Sequence, residues 1–391
     1  MRNTTRTLLA TALVLGVAAG PAVLPAGAAP LAPAVAAPAA APFAGLEAAV
    51  AGLPSEDATA ALVRVGGSEG AWQGSAGVHD VKSRRPADPG ARFRAGSVTK
   101  VFTAAVVLQL AGEGRIDLDR SARSYLPELI PAAYEGVTVR QLLNHTHGIP
   151  AANLPGETVE EWYARRFVTY DPRDLVRSAT SQPREFAPGE KQHYLNIGYT
   201  IAGLIVERVT GESYEHQVTA RVLRPLGLRD TYLPGTSPRI EGRHNHGYQR
   251  MRLEDGTTGL RDVSVWGATD GWAAGDLIST TADLERFTKA LFAGRVVRRP
   301  LLEEMFTLPK VADVTTGAPA AYAVGLSMKK LGGREVWGKT GGRWGYNTAI
   351  ASTRHGERTL VYSVNSTDAK GKDMNKVAMN IMLATYGLPS K

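Results

Sequence analysis

The chain has 391 residues, 45 Lys and Arg against 37 Asp and Glu for a net charge of +8, 43% hydrophobic residues and no cysteine. That length and apolar fraction suffice for a sizeable core in one large domain or two, which excludes a disordered tail. The absence of thiols excludes disulfide frameworks, Cys-ligated zinc or iron–sulfur centres, cysteine nucleophiles and a lipid anchor on an N-terminal Cys. Basic residues are scattered in short clusters such as Arg84-Arg85 and Arg298-Arg299. Without a basic arm, a solvated surface and no nucleic-acid partner are expected.

Arg2 and Arg6 precede an apolar run at 8–19 and then Ala26-Gly27-Ala28, the small-x-small form that signal peptidase requires. The pattern predicts a signal peptide over 1–28, cleaved near Ala28, and hence a secreted protein, extracellular or cell-wall associated. A membrane anchor is the alternative, for which the run is short. No later segment is long and apolar enough to predict a transmembrane helix. Residues 29–42 are Ala, Pro, Leu and Val only, an extended tether with nothing to pack. The folded domain is expected over 43–391.

A short helical pattern at Leu46 and Val50 leads into two strand-like stretches, 61–65 and 71–78, joined by Gly66-Gly67-Ser68-Glu69-Gly70. Ser97 then opens a stretch that is apolar nearly all round as far as Leu110 and stops at Gly112 and Gly114, which reads as a buried helix. Further helices are predicted over 138–145, 171–181, 197–209, 213–223 and 281–293. The chain turns strand-like again at 322–330, 335–339, 347–353 and 358–365, with a hairpin at His355-Gly356 and a last helix over 373–386. Strands at both ends with helices between predict an α/β fold of the α+β type. One antiparallel sheet, flanked by N- and C-terminal helices, receives a large, mostly helical insertion. The sheet part is expected at about 43–96 and 295–391, and the helical part at about 97–294.

Several motifs compete for the chemistry. Gly66-Gly67-Ser68-Glu69-Gly70 matches GxSxG, but strand-like sequence on both sides suits a hairpin, not the strand-to-helix elbow that exposes a nucleophile. His145-Thr146-His147 and His244-Asn245-His246 each offer two zinc ligands; a catalytic zinc needs three, and no third has supporting spacing. Structural histidines and no metal are expected.

Ser97-Val98-Thr99-Lys100 differs in kind. At the start of a buried helix, Lys falls one turn after Ser on the same face, where its amine can reach the hydroxyl. Burial and a nearby cation disfavour the ammonium and make the amine a base, while the helix dipole favours negative charge at Ser97. Ser327-Met328-Lys329-Lys330 repeats the pattern in strand-like sequence, where positions three apart face opposite sides. Downstream of Ser97 come Tyr194-Leu195-Asn196 before a helix, and Lys339-Thr340-Gly341 followed by Gly342. SxxK, YxN and KTG in this order are the boxes of the penicillin-recognising serine enzymes. Ser363-Val364-Asn365 matches a variant second box but follows the third.

The sequence resembles the serine β-lactamase and D-alanyl-D-alanine carboxypeptidase superfamily, most closely its secreted carboxypeptidases and class C-type enzymes. The likeness covers nearly the whole mature chain. It includes Arg92-Phe93-Arg94-Ala95-Gly96 before Ser97, Gly112-Glu113-Gly114-Arg115-Ile116-Asp117-Leu118, Leu142-Leu143-Asn144-His145-Thr146-His147-Gly148, Pro188-Gly189 and Gly275-Asp276-Leu277-Ile278-Ser279-Thr280. The resemblance implies a β-lactamase/transpeptidase-like fold and a Ser97 acyl-enzyme. Lys100 and Tyr194 would share proton transfer, Asn196 would bond Lys100 and the substrate amide, and Lys339 would hold the Tyr194 phenolate and the substrate carboxylate by charge. Backbone N–H groups of Ser97 and Gly342 would form the oxyanion hole, and Thr340 and Gly341 would belong to the substrate site.

Arg343 and Trp344 have two readings, lining the substrate pocket or packing at the sheet edge; Trp266 and Trp272 lie in a region that borders the cleft in this superfamily. The chain departs from the carboxypeptidases twice. Lys339 stands where they often carry His, and Ser327 where an Arg can grip the terminal carboxylate. The resemblance implies a secreted serine-type D-Ala-D-Ala carboxypeptidase acting on peptidoglycan stem peptides and acylated by β-lactams. Ser, Lys and Tyr suffice for acyl transfer, so no cofactor is expected; a monomer is expected, with the oligomeric state left open by the sequence. The alternatives are a class C-like β-lactamase, an esterase or a D-amino-acid peptidase of the same fold, and, in another class, a non-catalytic cell-wall binding or sensing protein. Peptide-cyclising thioesterases of the superfamily act on intracellular carriers, so the export signal counts against them.

Overall fold

The computed structural model describes residues 43–267 and 269–388; the expected signal peptide and tether lie outside the described residues. α1 (Ala44–Val50) leads to β1 (Ala58–Gly66) and β2 (Trp72–Gly77), the hairpin predicted around Ser68. α2 (Thr99–Gly112), α3 (Val139–Leu143), α4 (Val159–Ala164), α5 (Pro172–Thr180) and α6 (Ile197–Thr210) follow. Then come a hairpin of β3 (Tyr248–Arg252) and β4 (Thr258–Asp262), and α7 (Thr281–Phe292). The chain closes with β5 (Ser327–Leu331), β6 (Arg334–Arg343), β7 (Tyr346–Thr353), β8 (Thr359–Ser366) and α8 (Lys376–Thr385).

One antiparallel sheet of six strands in the order β2-β1-β8-β7-β6-β5 joins the two ends of the chain, as predicted. Period-two alternation divides its side chains between two cores. Ala61, Val63 and Val65 of β1, with Leu360, Tyr362 and Val364 of β8, meet α1 and α8 on one face. Leu62, Trp337, Ile350 and Val361 belong to the larger core on the other face, shared with α2, α6 and α7. β8 is buried at every position, so it shows no polar face to the sequence.

Three details differ from expectation. α7 packs on β8, β7 and β1, so the helical part ends before it and not at 294. Its apolar stripe of Leu284, Phe287 and Leu291 meets the sheet, and Phe287 stacks on Phe102 of α2 at 3.8 Å. The strand predicted from 322 starts only at Ser327, because the backbone N–H groups of Ala321 and Tyr322 donate to Gln192 Oε1 instead of to a neighbouring strand. The β3–β4 hairpin was not anticipated: its strands are rich in polar and charged residues, with β3 mostly buried on its neighbours and β4 open to solvent. It stands on a small third core in which Met251, Val263 and Trp266 meet Trp162, Tyr163 and Trp344.

Candidate active site

Ser97 lies in a single 3₁₀ turn, Gly96–Val98, that continues directly as α2. The turn is fastened on both sides. Thr99 Oγ1 donates to the Gly96 carbonyl at 2.7 Å and accepts from Leu277 N at 3.0 Å, and Ala95 N donates to Leu277 O at 2.8 Å. One turn further on, Lys100 is fully buried with its amine 3.2 Å from Ser97 Oγ. The second SxxK does not do this. Ser327 Oγ donates to the Gly338 carbonyl at 3.1 Å, within the sheet.

Lys100 Nζ also donates to Asn196 Oδ1 at 2.7 Å and to the Ala274 carbonyl at 2.8 Å. A neutral amine has two N–H groups and one lone pair; with both N–H groups taken, the lone pair faces the Ser97 hydroxyl. Burial is the main force for the neutral form, followed by repulsion from Lys339, Lys370 and Arg343. Asp276 acts the other way, but the amine is held well below the usual ammonium range. Asn196 occupies the boundary of α6 without capping it, because its side chain is committed to Lys100.

The Tyr194 ring lies between the two lysines, its centroid 5.0 Å from Lys100 Nζ and 4.6 Å from Lys339 Nζ. Tyr322 and His145 pack on it at 4.7 and 4.5 Å. Its hydroxyl makes no hydrogen bond of good geometry. Burial and Tyr322 push the phenol well above its ordinary range, and the neighbouring Ser97 only partly offsets them. That direction favours the protonated phenol, whereas the resemblance implied a phenolate held by Lys339. Burial drives Lys339 itself down to about 7, and its amine donates to the Thr340 carbonyl at 2.8 Å. These directions suit Lys100 to accepting a proton and Tyr194 to donating one.

The end of β6 runs against the nucleophile turn so closely that only glycine fits. A Cβ on Gly341 would lie 2.0 Å from the Ala95 carbonyl and 3.0 Å from Ser97 N. Gly96, at φ +53°, would place one 2.6 Å from Gly342 N. This approach brings the Ser97 and Gly342 backbones side by side, the arrangement that two oxyanion donors require. Asn196 and Thr340 are exposed and Ser97 half-buried, so the site is open on that side.

Arg343 is buried, and its guanidinium forks onto Asp270 at 2.8 and 2.9 Å with Asp276 at 3.7 Å. Its donors are spent on carboxylates, so of its two readings the structure supports packing at the sheet edge. Trp344 stacks on buried Trp266 at 5.1 Å, and the Trp272 indole donates to Glu215 at 2.8 Å while packing on α6. Among the described residues no group of three His, Asp or Glu is placed to hold a metal. Sequence reasoning missed Tyr322, Gln192 and Lys370. Gln192 Nε2 donates to the Asn144 and Tyr322 carbonyls at 2.7 and 2.8 Å and so seats Tyr322 against Tyr194. Lys370, exposed after β8, donates to the Gly342 carbonyl at 2.9 Å and is lowered to about 8 by desolvation of its amine and by Arg343. No periodicity or motif marks these three.

The Beta-lactamase family model matches residues 47–383, a span that takes in all three boxes. The chain belongs to the Beta-lactamase family. It is thus a member of the serine β-lactamase/transpeptidase superfamily of hydrolases, and its mixed α/β architecture is of that kind. The structure is similar to a D-stereospecific amidohydrolase from Streptomyces sp., with a TM-score of 0.75 and 30% identity, covering 88% of this chain and 98% of that one. Among curated proteins, this family member is 27% identical to Penicillin-binding protein 4* of Bacillus subtilis over 75% of its own length, and 26% identical to Protein flp of Staphylococcus aureus over 54%. It spans 65% and 41% of the length of those two relatives.

Proposed function

We propose that this protein is an exported serine peptidase that cleaves the amide bond after a D-residue when the leaving group bears a free carboxylate, as at the D-Ala-D-Ala end of a peptidoglycan stem peptide. The observation that carries the reading is the pair of amines beside the KTG strand, Lys339 on Tyr194 and Lys370 on the Gly342 carbonyl. Ser327 leaves β5 without an arginine for that carboxylate, and Lys370, in the segment after β8, supplies a cation beside Gly342. D-selectivity is supported by the likeness to the D-stereospecific amidohydrolase.

In the proposed cycle Ser97 Oγ attacks the carbonyl carbon as its proton passes to Lys100, and the oxyanion is held by the Ser97 and Gly342 N–H groups. Tyr194 gives its proton to the leaving amine and recovers one from Lys100, breaking the C–N bond. Water then attacks the acyl-enzyme by the reverse proton route. A second reading, hydrolysis of a D-amino-acid amide, needs no carboxylate-binding cation and is supported by the likeness to a D-amino acid amidase from Ochrobactrum anthropi at 25% identity and TM-score 0.72.

The deciding experiment compares D-Ala release from diacyl-L-Lys-D-Ala-D-Ala with hydrolysis of the same peptide amidated at its C-terminus. The free acid is expected to be preferred by about tenfold or more, with the preference falling in Lys370→Ala. A preference for the amide would move the assignment to an amidase. Export rests on the 1–28 pattern; the protein recovered from the medium is expected to begin at Ala29, and an uncleaved chain kept inside the cell would refute it.

A further inference from the structure

A cleft of about 390 Å³ lies away from the boxes; none of Ser97, Lys100, Tyr194 or Lys339 lines it. Its walls are the turn after α4, the segment around Arg239 and Ile240, and the base of the β3–β4 hairpin. We propose that this cleft binds a small organic anion, a phosphate or carboxylate group on an apolar body, through Arg166 and Arg239. The proposal does not rest on the peptidase reading.

Three observations converge on that ligand. Among the described residues neither Arg166 nor Arg239 has an ion pair, whereas nearby Arg243 and Arg261 pair with Asp88 and Glu254. Arg166 is also preorganised: its guanidinium lies 3.9 and 4.4 Å from the ring centroids of Tyr163 and Phe167, and Nη1 donates to the Tyr163 carbonyl at 2.7 Å. A stacked guanidinium keeps its charge and remaining donors and loses less freedom on binding an oxyanion. Asp262, the one carboxylate lining the cleft, makes no ion pair with either arginine among the described residues. Its Oδ2 takes His246 Nδ1 at 2.6 Å and its Oδ1 takes Ser264 N at 2.8 Å.

The third observation is apolar. Five large hydrophobic side chains are exposed among the described residues, and two of them, Phe167 at 54% and Val265 at 37%, line this one cleft. Unpaired arginines alone describe a solvated surface, and stray apolar side chains need no explanation. Both in a single concavity match a ligand with an anionic head and an apolar body. The cleft also adjoins the catalytic unit: the Ser264 carbonyl accepts from Arg94 at 3.0 Å, three residues before Ser97.

The test is calorimetric titration of the full chain with phenyl phosphate and, separately, with benzoate. Saturable one-to-one binding is expected for at least one probe, weakened about tenfold or more in Arg239→Ala and in Arg166→Ala. The tighter probe tells a phosphate from a carboxylate ligand. Inorganic phosphate, lacking the apolar body, is expected to bind more weakly. Benzylpenicillin acylation of Ser97 should proceed normally in both variants, and the acylated protein should still bind the probe. Because Arg239 is exposed, its variant reports on the cleft even if Arg166→Ala disturbs the stacked rings. The proposal is overturned if neither probe saturates, if Arg239→Ala binds at full strength, or if acylation of Ser97 abolishes binding.

Discussion

A buried amine is a liability to the fold, and the consequence can be measured. In the unfolded chain a lysine is charged up to about pH 10.4; in the fold Lys339 loses its proton near 7. Between those values the unfolded state binds more protons, so stability rises with pH, by at most ~1.4 kcal/mol per unit from this group. Below about pH 7 both states are charged and the destabilisation is fully present. Urea unfolding from pH 7 to 9 should therefore show a steeper rise for the native protein than for Lys339→Met; equal slopes would mean that the amine is solvated. Lys100 acts in the same direction, and its removal in Lys100→Ala should slow penicillin acylation by about 10²–10⁴-fold, read by intact mass, with Ser97 still present. Ser97 and Lys100 were legible because SxxK is local: one helical turn is enough to bring the amine to the hydroxyl.

At the scale of elements, the proposed acylation depends on how closely β6 approaches the Ser97 turn. Gly341→Ala would drive a methyl group into the Ala95 carbonyl. The strand must retreat, so the variant should lose about 1–3 kcal/mol of stability and most of its acylation rate together. A folded Gly341→Ala protein that acylates normally would contradict the role given to this contact. The sequence marked the KTG strand and the Ser97 turn but paired them only through the family resemblance, because strand-to-turn packing leaves no periodic trace. The same reason hid Tyr322 and Gln192. Their irregular segment is held by a single glutamine side chain whose acceptors and donors replace ladder bonds, and its apolar residues resembled a strand.

For the molecule as a whole, Arg343 ties the sheet edge to the segment at 270–276. Two carboxylates, Asp270 and Asp276, face it in a buried space, and burial pushes Asp276 well above the usual carboxylate range despite the arginine. Removing the cation leaves those acids uncompensated. Arg343→Met should cost about 3–5 kcal/mol in urea unfolding. A changed KM with unchanged stability would instead return Arg343 to the substrate side. The sequence offered pocket and sheet edge as equal readings because both acids lie far from Arg343 along the chain, and only the fold shows that its charge is spent.

The sequence by itself determined the features that depend on neighbours within a turn or on alternation. The β1–β2 hairpin, the buried α2, the terminal halves of one antiparallel sheet, and the order of the three boxes are all written at short range. Tertiary structure alone decided what depends on burial and on distant neighbours. It pushes the Tyr194 phenol up and the Lys100 amine down, sets Lys370 on Gly342, commits Arg343 to Asp270, and places α7 on the sheet. Residue types can state which groups are able to donate, accept or titrate. How each one titrates, and against what, follows from desolvation and from contacts that close only when the whole chain has packed.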